Sequence, residues 1–524
     1  MSDATKPQSD SPPHAPLVLA ALILVAAVAN LNLSVANVAL PDIGKALDAS
    51  QTGLNLVAVG FSLGLATSVL YLGALGDRYG RKLMILLGLG ISVPACIAAA
   101  AANSVEVLFA ARLVGGVAAG MAFPTTLALI TALWSGPSRT KSIALWSGIG
   151  GAISALGPLV SGALLEQFDW GSVFLITLPL VVVAFALTWF YVPSHVAESS
   201  DPVDNLGGIL SVLMVAAVVM ALNLAPVAGR GTLAIGLGLV GAAAIAAFAI
   251  RQRRTKFPLY DLDVAGRRLF WVAATAGIIV FGSLMAAMFV GQQFLQNVLS
   301  YSSLEAGAAI LPAAFLMVIV APRSATLVAA KGSRFTLLLG YLFCFLGFLW
   351  MLLFWKEGIS YLHVFIAYAL MGIGVGLAGT PASNSLTGSV PRTRAGMASA
   401  TGDLQRDLGG AIMQSILGAL LTAGYAKTFS DAIAASPDAS KISDSTQAAL
   451  TKSFGSASNL AEKYPEYSSA IVSTAKDSFL SGQDWAYVAG LAAVALGALI
   501  VWRAYPGLQR EHELFAEYAA SDKG

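Results

Sequence analysis

The chain has 524 residues, of which 57% are hydrophobic and only 11% are Asp, Glu, Lys or Arg, with a formal net charge of +2 and a mean hydropathy of +0.76. So apolar a composition excludes a string of soluble domains and requires lipid to solvate most of the chain. The small net charge is silent on nucleic acid, which is not expected as a partner. The two cysteines, Cys96 and Cys344, both sit in apolar runs and indicate neither a disulfide framework nor a metal site.

A spanning helix needs about 20 apolar residues. About fourteen candidates follow in order, near 16–40, 53–75, 83–102, 107–133, 142–165, 172–193, 206–227, 232–250, 269–298, 304–330, 335–355, 360–388, 396–424 and 483–505. Residues 1–15 form a polar leader, and the first apolar run lacks the cleavage site of a secretory signal, so it is read as retained. An even helix count puts both termini on one side. Alternate loops on that side hold Arg78, Arg81 and Lys82, then Arg139 and Lys141, then the basic stretch from Arg251 to Arg268, then Lys331 and Arg334, then Arg392 and Arg394. That side is therefore read as the cytoplasm, with the acids Glu198, Asp201 and Asp204 counting little and Arg230 and Lys356 the exceptions outside.

The expected organisation is an N-terminal tail (1–15), a six-helix bundle (16–193), an inserted two-helix segment (194–250), a basic loop (251–268), a second six-helix bundle (269–505) and a C-terminal tail (506–524). The second bundle includes a hydrophilic extracytoplasmic loop, 425–482. That loop is either a solvated cap or a gating or partner-binding hairpin. The tail from Arg510 reads as a short exposed end.

Along the chain, the first polar signature is Tyr-Leu-Gly-Ala-Leu-Gly-Asp-Arg-Tyr-Gly-Arg-Lys at 71–82. Gly73, Gly76 and Gly80 permit a tight turn, while Asp77, Arg78, Arg81 and Lys82 can form ion pairs at the membrane surface. This loop resembles the signature between helices 2 and 3 of the major facilitator superfamily. A weaker echo stands at 321–332, with Ala329 where the acid would be. The inserted pair resembles the fourteen-helix drug:proton antiporter branch. The resemblance implies an all-α membrane protein with the major facilitator fold, two six-helix bundles plus an inserted helix pair.

Other segments carry the same resemblance. The first helix reads Asn32-Leu33-Ser34-Val35-Ala36-Asn37-Val38-Ala39-Leu40-Pro41, similar to a family motif whose Asp is here Asn32, an amide that cannot titrate. Asn32, Ser34 and Asn37 make that helix polar on more than one face, so it cannot face lipid all round, and they are candidates for a substrate cavity. In the fourth predicted helix, Arg112 with Gly115 and Gly116 resembles Arg-x-x-Gln-Gly, with Gly115 in place of Gln. The resemblance associates Arg112 with proton transfer; a snorkelling or ion-paired structural role is the alternative. The fifth predicted helix carries Gly157-Pro158, resembling the motif that marks antiporters and mostly exporters. Asp77, Arg78, Arg81, Gly73, Gly80, Gly157 and Pro158 are thus gating candidates, and Asp77 is expected to latch onto the start of the 396–424 helix.

Phe281, Met285, Phe289, Gln292 and Gln296 recur at helical spacing, as either a cavity wall with amide rims or ordinary packing. Glu305 either caps its helix or belongs to an outer proton site. Asp403, Arg406 and Asp407 lie within one turn and resemble a family motif with two acids in place of amides. They form either a structural bridge or the titrating site that position 32 lacks.

The reading is a secondary active exporter of amphipathic or cationic drugs, driven by proton antiport through alternating access, in the plasma (inner) membrane. Its partners are small substrates, protons and lipid, with no cofactor and a monomeric state expected. The alternative is an exporter or flippase of an endogenous lipid or metabolite. Dispersed histidines and the lack of a nucleotide-binding glycine loop argue against an enzyme and against ATP-driven transport.

Overall fold

The structure, a computed structural model, describes residues 11–194, 196, 202–227, 229–391, 395–437, 439 and 442–522. Residues 1–10 of the expected N-terminal tail, and Glu198, Asp201, Arg392 and Arg394, lie outside the described residues. The first half contains α1 (Ala15–Ala46), α2 (Gln51–Tyr79), α3 (Arg81–Ala100), α4 (Val105–Leu133), α5 (Gly136–Leu165), α6 (Ser172–Leu175) and α7 (Leu178–Tyr191). Next come α8 (Asn205–Leu224), α9 (Gly231–Arg254) and the short α10 (Leu262–Ala265). The second half has α11 (Arg268–Asn297), α12 (Ser303–Ala309), α13 (Leu311–Phe354), α14 (Tyr361–Gly388), α15 (Ala395–Ala435), α16 (Asp444–Lys452), α17 (Phe454–Lys463), α18 (Ser468–Ala504) and α19 (Leu508–Ser521).

Helices dominate because hydrocarbon offers the backbone no hydrogen-bond partner, so each spanning segment must satisfy its own amides. Twelve helices among the described residues are long and apolar enough to cross a membrane. One of them, spanning Ser303–Phe354, breaks at Gly332, whose φ of 86° and ψ of 164° are non-helical, and so contains two crossings. The 30-residue α5 carries a shorter apolar stretch, Leu156–Leu165. Gly332 closes the echo seen at 321–332, and Gly80, with φ 113°, closes the first signature loop. Both halves therefore turn on a glycine in a backbone region that side chains rarely enter.

Within each half the helices approach to backbone contact. A Cβ on Gly64 would strike the Leu113 carbonyl and one on Gly116 the Phe61 carbonyl, which sets the α2–α4 distance. In the second half, Gly340 lies on the Gly374 carbonyl at 2.7 Å from an ideal Cβ, and Gly282 and Gly409 bring α11 and α15 together in the same way. Lipid tails are as apolar as leucine side chains, so close packing of small residues has to supply the cohesion. The inserted α8 lies against α2 and α15, with Tyr71 donating to Asn205 at 3.0 Å and Asn223 to Ser415 at 2.7 Å.

Two segments carry more order than a loop and a free end. Helix enters the hydrophilic segment 425–482 from both sides, as α15 runs on to Ala435 and α18 starts at Ser468. The extension of α15 is stabilised by packing, with Tyr425 and Phe429 both 2% exposed. Likewise the C-terminal segment is not a free end: it forms α19, whose Leu514 and Glu511 are buried and whose Phe515 packs on Gly388. Glu511 accepts from the Ser333 amide at 3.0 Å, just past the Gly332 break, and from the Tyr505 hydroxyl at 3.2 Å. Arg267 pairs with Asp522 at 2.5 Å and lies 4.9 Å from the Tyr518 ring, which pins the far end of the helix. Polar residues on one face of α19 hid this docking from a reading of composition.

Replacing Gly116 by Val is expected to destabilise the fold by about 1–3 kcal/mol through overpacking. Thermal unfolding of the purified protein checks this, and an unchanged midpoint would contradict the contact.

Candidate functional site

The site is the seam between the two halves. Near the α1–α2 turn the seam is sealed by backbone contact and by amide and carboxylate side chains. On α5, Gly157 leaves room for the Ser34 hydroxyl of α1, and Gly162 for the Ser303 and Leu304 backbone of the second half. Gly307 in turn leaves room for the Pro158 carbonyl. Gln296 donates to the Val38 carbonyl at 2.7 Å, Gln51 to Gln293 at 2.9 Å and Asn55 to Thr422 at 3.1 Å. Asp42 accepts from Ser303 at 3.3 Å, and Glu166 from the Leu304 amide at 3.3 Å. Above them α16 and α17 cross from the second half to the first: Lys452 pairs with Asp48 at 2.7 Å and Asn459 donates to the Lys45 carbonyl at 3.0 Å. Partial burial works to raise the Asp48 carboxyl, but its bonds to Lys452 and Ser456 outweigh that and leave it below its ordinary value.

Sequence reading missed Gln51, Gln293, Asp42 and Glu166. Each lies at a helix end, where polar residues are common, and only the fold shows which face a partner across the seam. Glu305 forms a reciprocal capping box with Ser302, each side chain bonding the other's backbone amide, so the structure places it as a helix cap.

Midway along the seam, α15 presents Arg406 between two acids. Its Nε is 3.5 Å from Asp407 Oδ1 and an Nη is 3.8 Å from Asp403 Oδ1. The guanidinium lies 4.9 Å from the Phe123 ring of α4, so the charge reaches across to the other half. The Asp407 side chain is fully buried and its Oδ2 has no hydrogen-bond partner, whereas the Asp403 side chain keeps 17% exposure. Gln405, donating to the Ala273 carbonyl at 2.6 Å, fixes this turn of α15 on α11.

Of the α11 stripe, Phe281, Met285 and Gln296 retain partial exposure, and Phe289 and Gln292 are fully buried. Gln292 donates to the Ala306 carbonyl at 2.8 Å because α12 folds over that end of α11. Asn32, Ser34 and Asn37 are likewise buried. Asn32 donates to Thr177 at 3.2 Å, and Arg112 lies in the same first-half core, donating to the carbonyls of Val57 at 2.7 Å and Asn32 at 3.2 Å. The substrate-cavity candidates are therefore not on one surface in this structure.

At the α2–α3 turn, Asp77 pairs with Arg81 at 2.8 Å, and Arg81 also donates to the Ala128 carbonyl at 3.3 Å. Among the described residues Asp77 is thus held within its own turn rather than by the start of α15. Gly73 faces open space.

Residues 22–413 match the family model of the Major Facilitator Superfamily. The chain belongs to the major facilitator superfamily. It is accordingly a multi-pass membrane transporter, not an enzyme. Among its curated relatives is the multidrug efflux pump LfrA of Mycolicibacterium smegmatis, 30% identical over 506 residues, covering 95% of this chain and 98% of that one. The multidrug resistance protein Stp of Mycobacterium tuberculosis is 32% identical over 400 residues, covering 76% and 74%. The methyl viologen resistance protein SmvA of Salmonella typhimurium is 28% identical over 500 residues, covering 94% and 99%. Among solved structures, a bacterial homologue of the human lysosomal transporter Spinster, in an inward-facing and unoccupied conformation, superposes with a TM-score of 0.65. It shares 15% identity and covers 97% of this chain and 99% of its own, a likeness of fold.

Replacing Gly162 by Val sets a branched side chain against the Ser303–Leu304 backbone and is expected to loosen the seal. A Gln293→Cys reporter, buried in the seal, should then react several-fold faster with a membrane-impermeant maleimide. Equal labelling with and without Gly162→Val would contradict this role of α5.

Proposed function

We propose that this transporter is a secondary active exporter that moves amphipathic, often cationic drugs out of the cell by alternating access, driven by proton antiport. The Lys and Arg bias of the loops supports placing the α2–α3 end and both termini in the cytoplasm. On that orientation the α1–α2 end is extracytoplasmic and closed. Residues 16–193 and 269–505 are read as the two bundles that rock about the seam, with 194–250 as the inserted segment, 251–268 as the basic loop between it and the second bundle, and the cytoplasmic α19 clamped to the second bundle.

The observation that carries the reading is the Asp403–Arg406–Asp407 triad at the seam, with Asp407 buried, Asp403 and Arg406 partly exposed, and Arg406 reaching Phe123 across it. Two carboxylates beside one guanidinium carry one negative charge more than they neutralise, and a desolvated excess charge is costly. One proton, or one cationic substrate, removes the excess. Competition between the two for a single neutralising place is the simplest basis for antiport. Phe281 and Met285 supply partly exposed apolar surface on the facing α11 for a hydrophobic cation. Energetically, one proton crossing with a potential of 100 mV gains about 2.3 kcal/mol, and a tenfold solute gradient costs about 1.4 kcal/mol. For an uncharged substrate one proton thus sustains a concentration ratio above tenfold; exchange for a monovalent cation moves no net charge, so the potential cancels and a pH difference of about one unit sustains a tenfold ratio.

The Gly157-Pro158 segment is the part of the outer seal that must part for release, and Asp77 is the cytoplasmic latch. In the closed-outside state described here Asp77 rests on Arg81; with the cytoplasmic side closed it is free to meet the positive helix start of α15. Names of the relatives, which denote multidrug efflux and methyl viologen resistance, support the substrate class.

In a drug-sensitive bacterial host, Asp407→Asn is expected to abolish energised ethidium efflux while the protein stays inserted, and Asp403→Asn to weaken it. Wild-type efflux in both variants would contradict the triad's role. Asp77→Ala should leave insertion intact and slow turnover; normal turnover would remove the latch from the mechanism.

A further inference from the structure

Two departures of this sequence from the patterns it resembles meet at one cavity. Asn32 stands in place of an Asp and Gly115 in place of a Gln, and both line a void of about 20 Å³ together with Phe61, Ser92, Cys96 and Arg112. Gly115 keeps that void open: an ideal Cβ there would come no closer than 3.5 Å to the Phe61 ring.

Arg112 borders the void with its charge uncompensated. It is 3% exposed, its Nε and Nη1 donate to the neutral carbonyls of Val57 and Asn32, and its guanidinium lies 5.6 Å from the rings of both Phe61 and Phe174. Nη2 has no hydrogen-bond partner. Among the described residues no carboxylate pairs with it, and an Asp at position 32 would have been the one beside it. The amide of Asn32 is engaged instead with the Val28 carbonyl at 3.0 Å and with Thr177. A lone buried cation costs several kcal/mol, and carbonyl dipoles with ring faces offset only part of it.

We propose that this cavity binds a small monovalent anion, chloride being the abundant one, on Nη2 of Arg112, where it replaces the negative charge that position 32 lacks. A void needs roughly 10 to 15 Å³ on this measure to admit one water, so there is room for one small ion. The site is separate from the Asp403–Arg406–Asp407 triad and fixes the first bundle in a charge-neutral state whatever substrate the transporter carries.

The test uses the purified full chain in detergent, with chloride exchanged for gluconate at constant ionic strength, and reads the thermal midpoint and retention of radiolabelled chloride. The expected result is a saturable rise of the midpoint with chloride or bromide, not reproduced by gluconate or sulfate, together with stoichiometric retention of label. Asn32→Asp should lose both effects, because a carboxylate then neutralises Arg112. Should that variant not fold, Gly115→Gln, which fills the void, is expected to lose label retention too. Equal midpoints in chloride and gluconate with no retained label would overturn the proposal, as would undiminished chloride binding in both variants. The readout is binding and stability, so it is independent of whether the export reading holds.

Discussion

A charge buried at membrane depth has to be answered within a few ångströms, and this constraint organises the rest of the molecule. A guanidinium at the centre of a spanning helix costs at least about 2.5–3.5 kcal/mol even with relaxation. Among the described residues Arg112 is buried in the first half and Arg406 is partly buried at the seam, and they are answered differently. Arg406 has two acids on its own helix and an aromatic face across the seam. Arg112 has neutral carbonyls and two rings. The first arrangement has negative charge to spare and can exchange a proton for a cation; the second has positive charge to spare and holds still.

Around these charges the fold separates cohesion from mobility. Within each half, glycines such as Gly64, Gly116, Gly282 and Gly409 bring helix backbones into direct contact. Between the halves, direct backbone contact at the α1–α2 end comes at α5 and α12, where Gly162 and Gly307 lie, and single hydrogen bonds of amide and hydroxyl groups, each of which water can replace, join the rest. Single polar contacts of this kind are worth about 0.5–1.5 kcal/mol net, so a handful seals an end without locking it. The α16–α17 hairpin adds the Lys452–Asp48 pair on top, at the exposed rim where an ion pair is worth little.

Much of the fold was legible in the sequence because hydrocarbon thickness and backbone saturation leave few choices for a long apolar run. The all-helical membrane architecture and the turn at Gly80 follow from those rules together with the resemblance carried by the signature loop. The C-terminal helix was not legible, since its docking depends on Glu511 reaching the Ser333 amide, 178 residues away in sequence. At the candidate site, the clustering of Asp403, Arg406 and Asp407 could be read from helical spacing alone. The seal formed by Gln51 with Gln293 and by Asp42 with Ser303 could not, because no local pattern tells which helix ends face each other. Nor does periodicity reveal that α12 covers Gln292 and so takes part of the α11 stripe away from any cavity.

The most direct measurement of the central claim is simultaneous recording of proton and ethidium movement in liposomes containing the purified protein, with an interior more acidic than the bath. Proton antiport predicts that ethidium accumulates inside while the internal pH rises faster than in protein-free liposomes, and that neither flux persists without the other. Ethidium movement with no accompanying proton flux, or no movement of either, would contradict it.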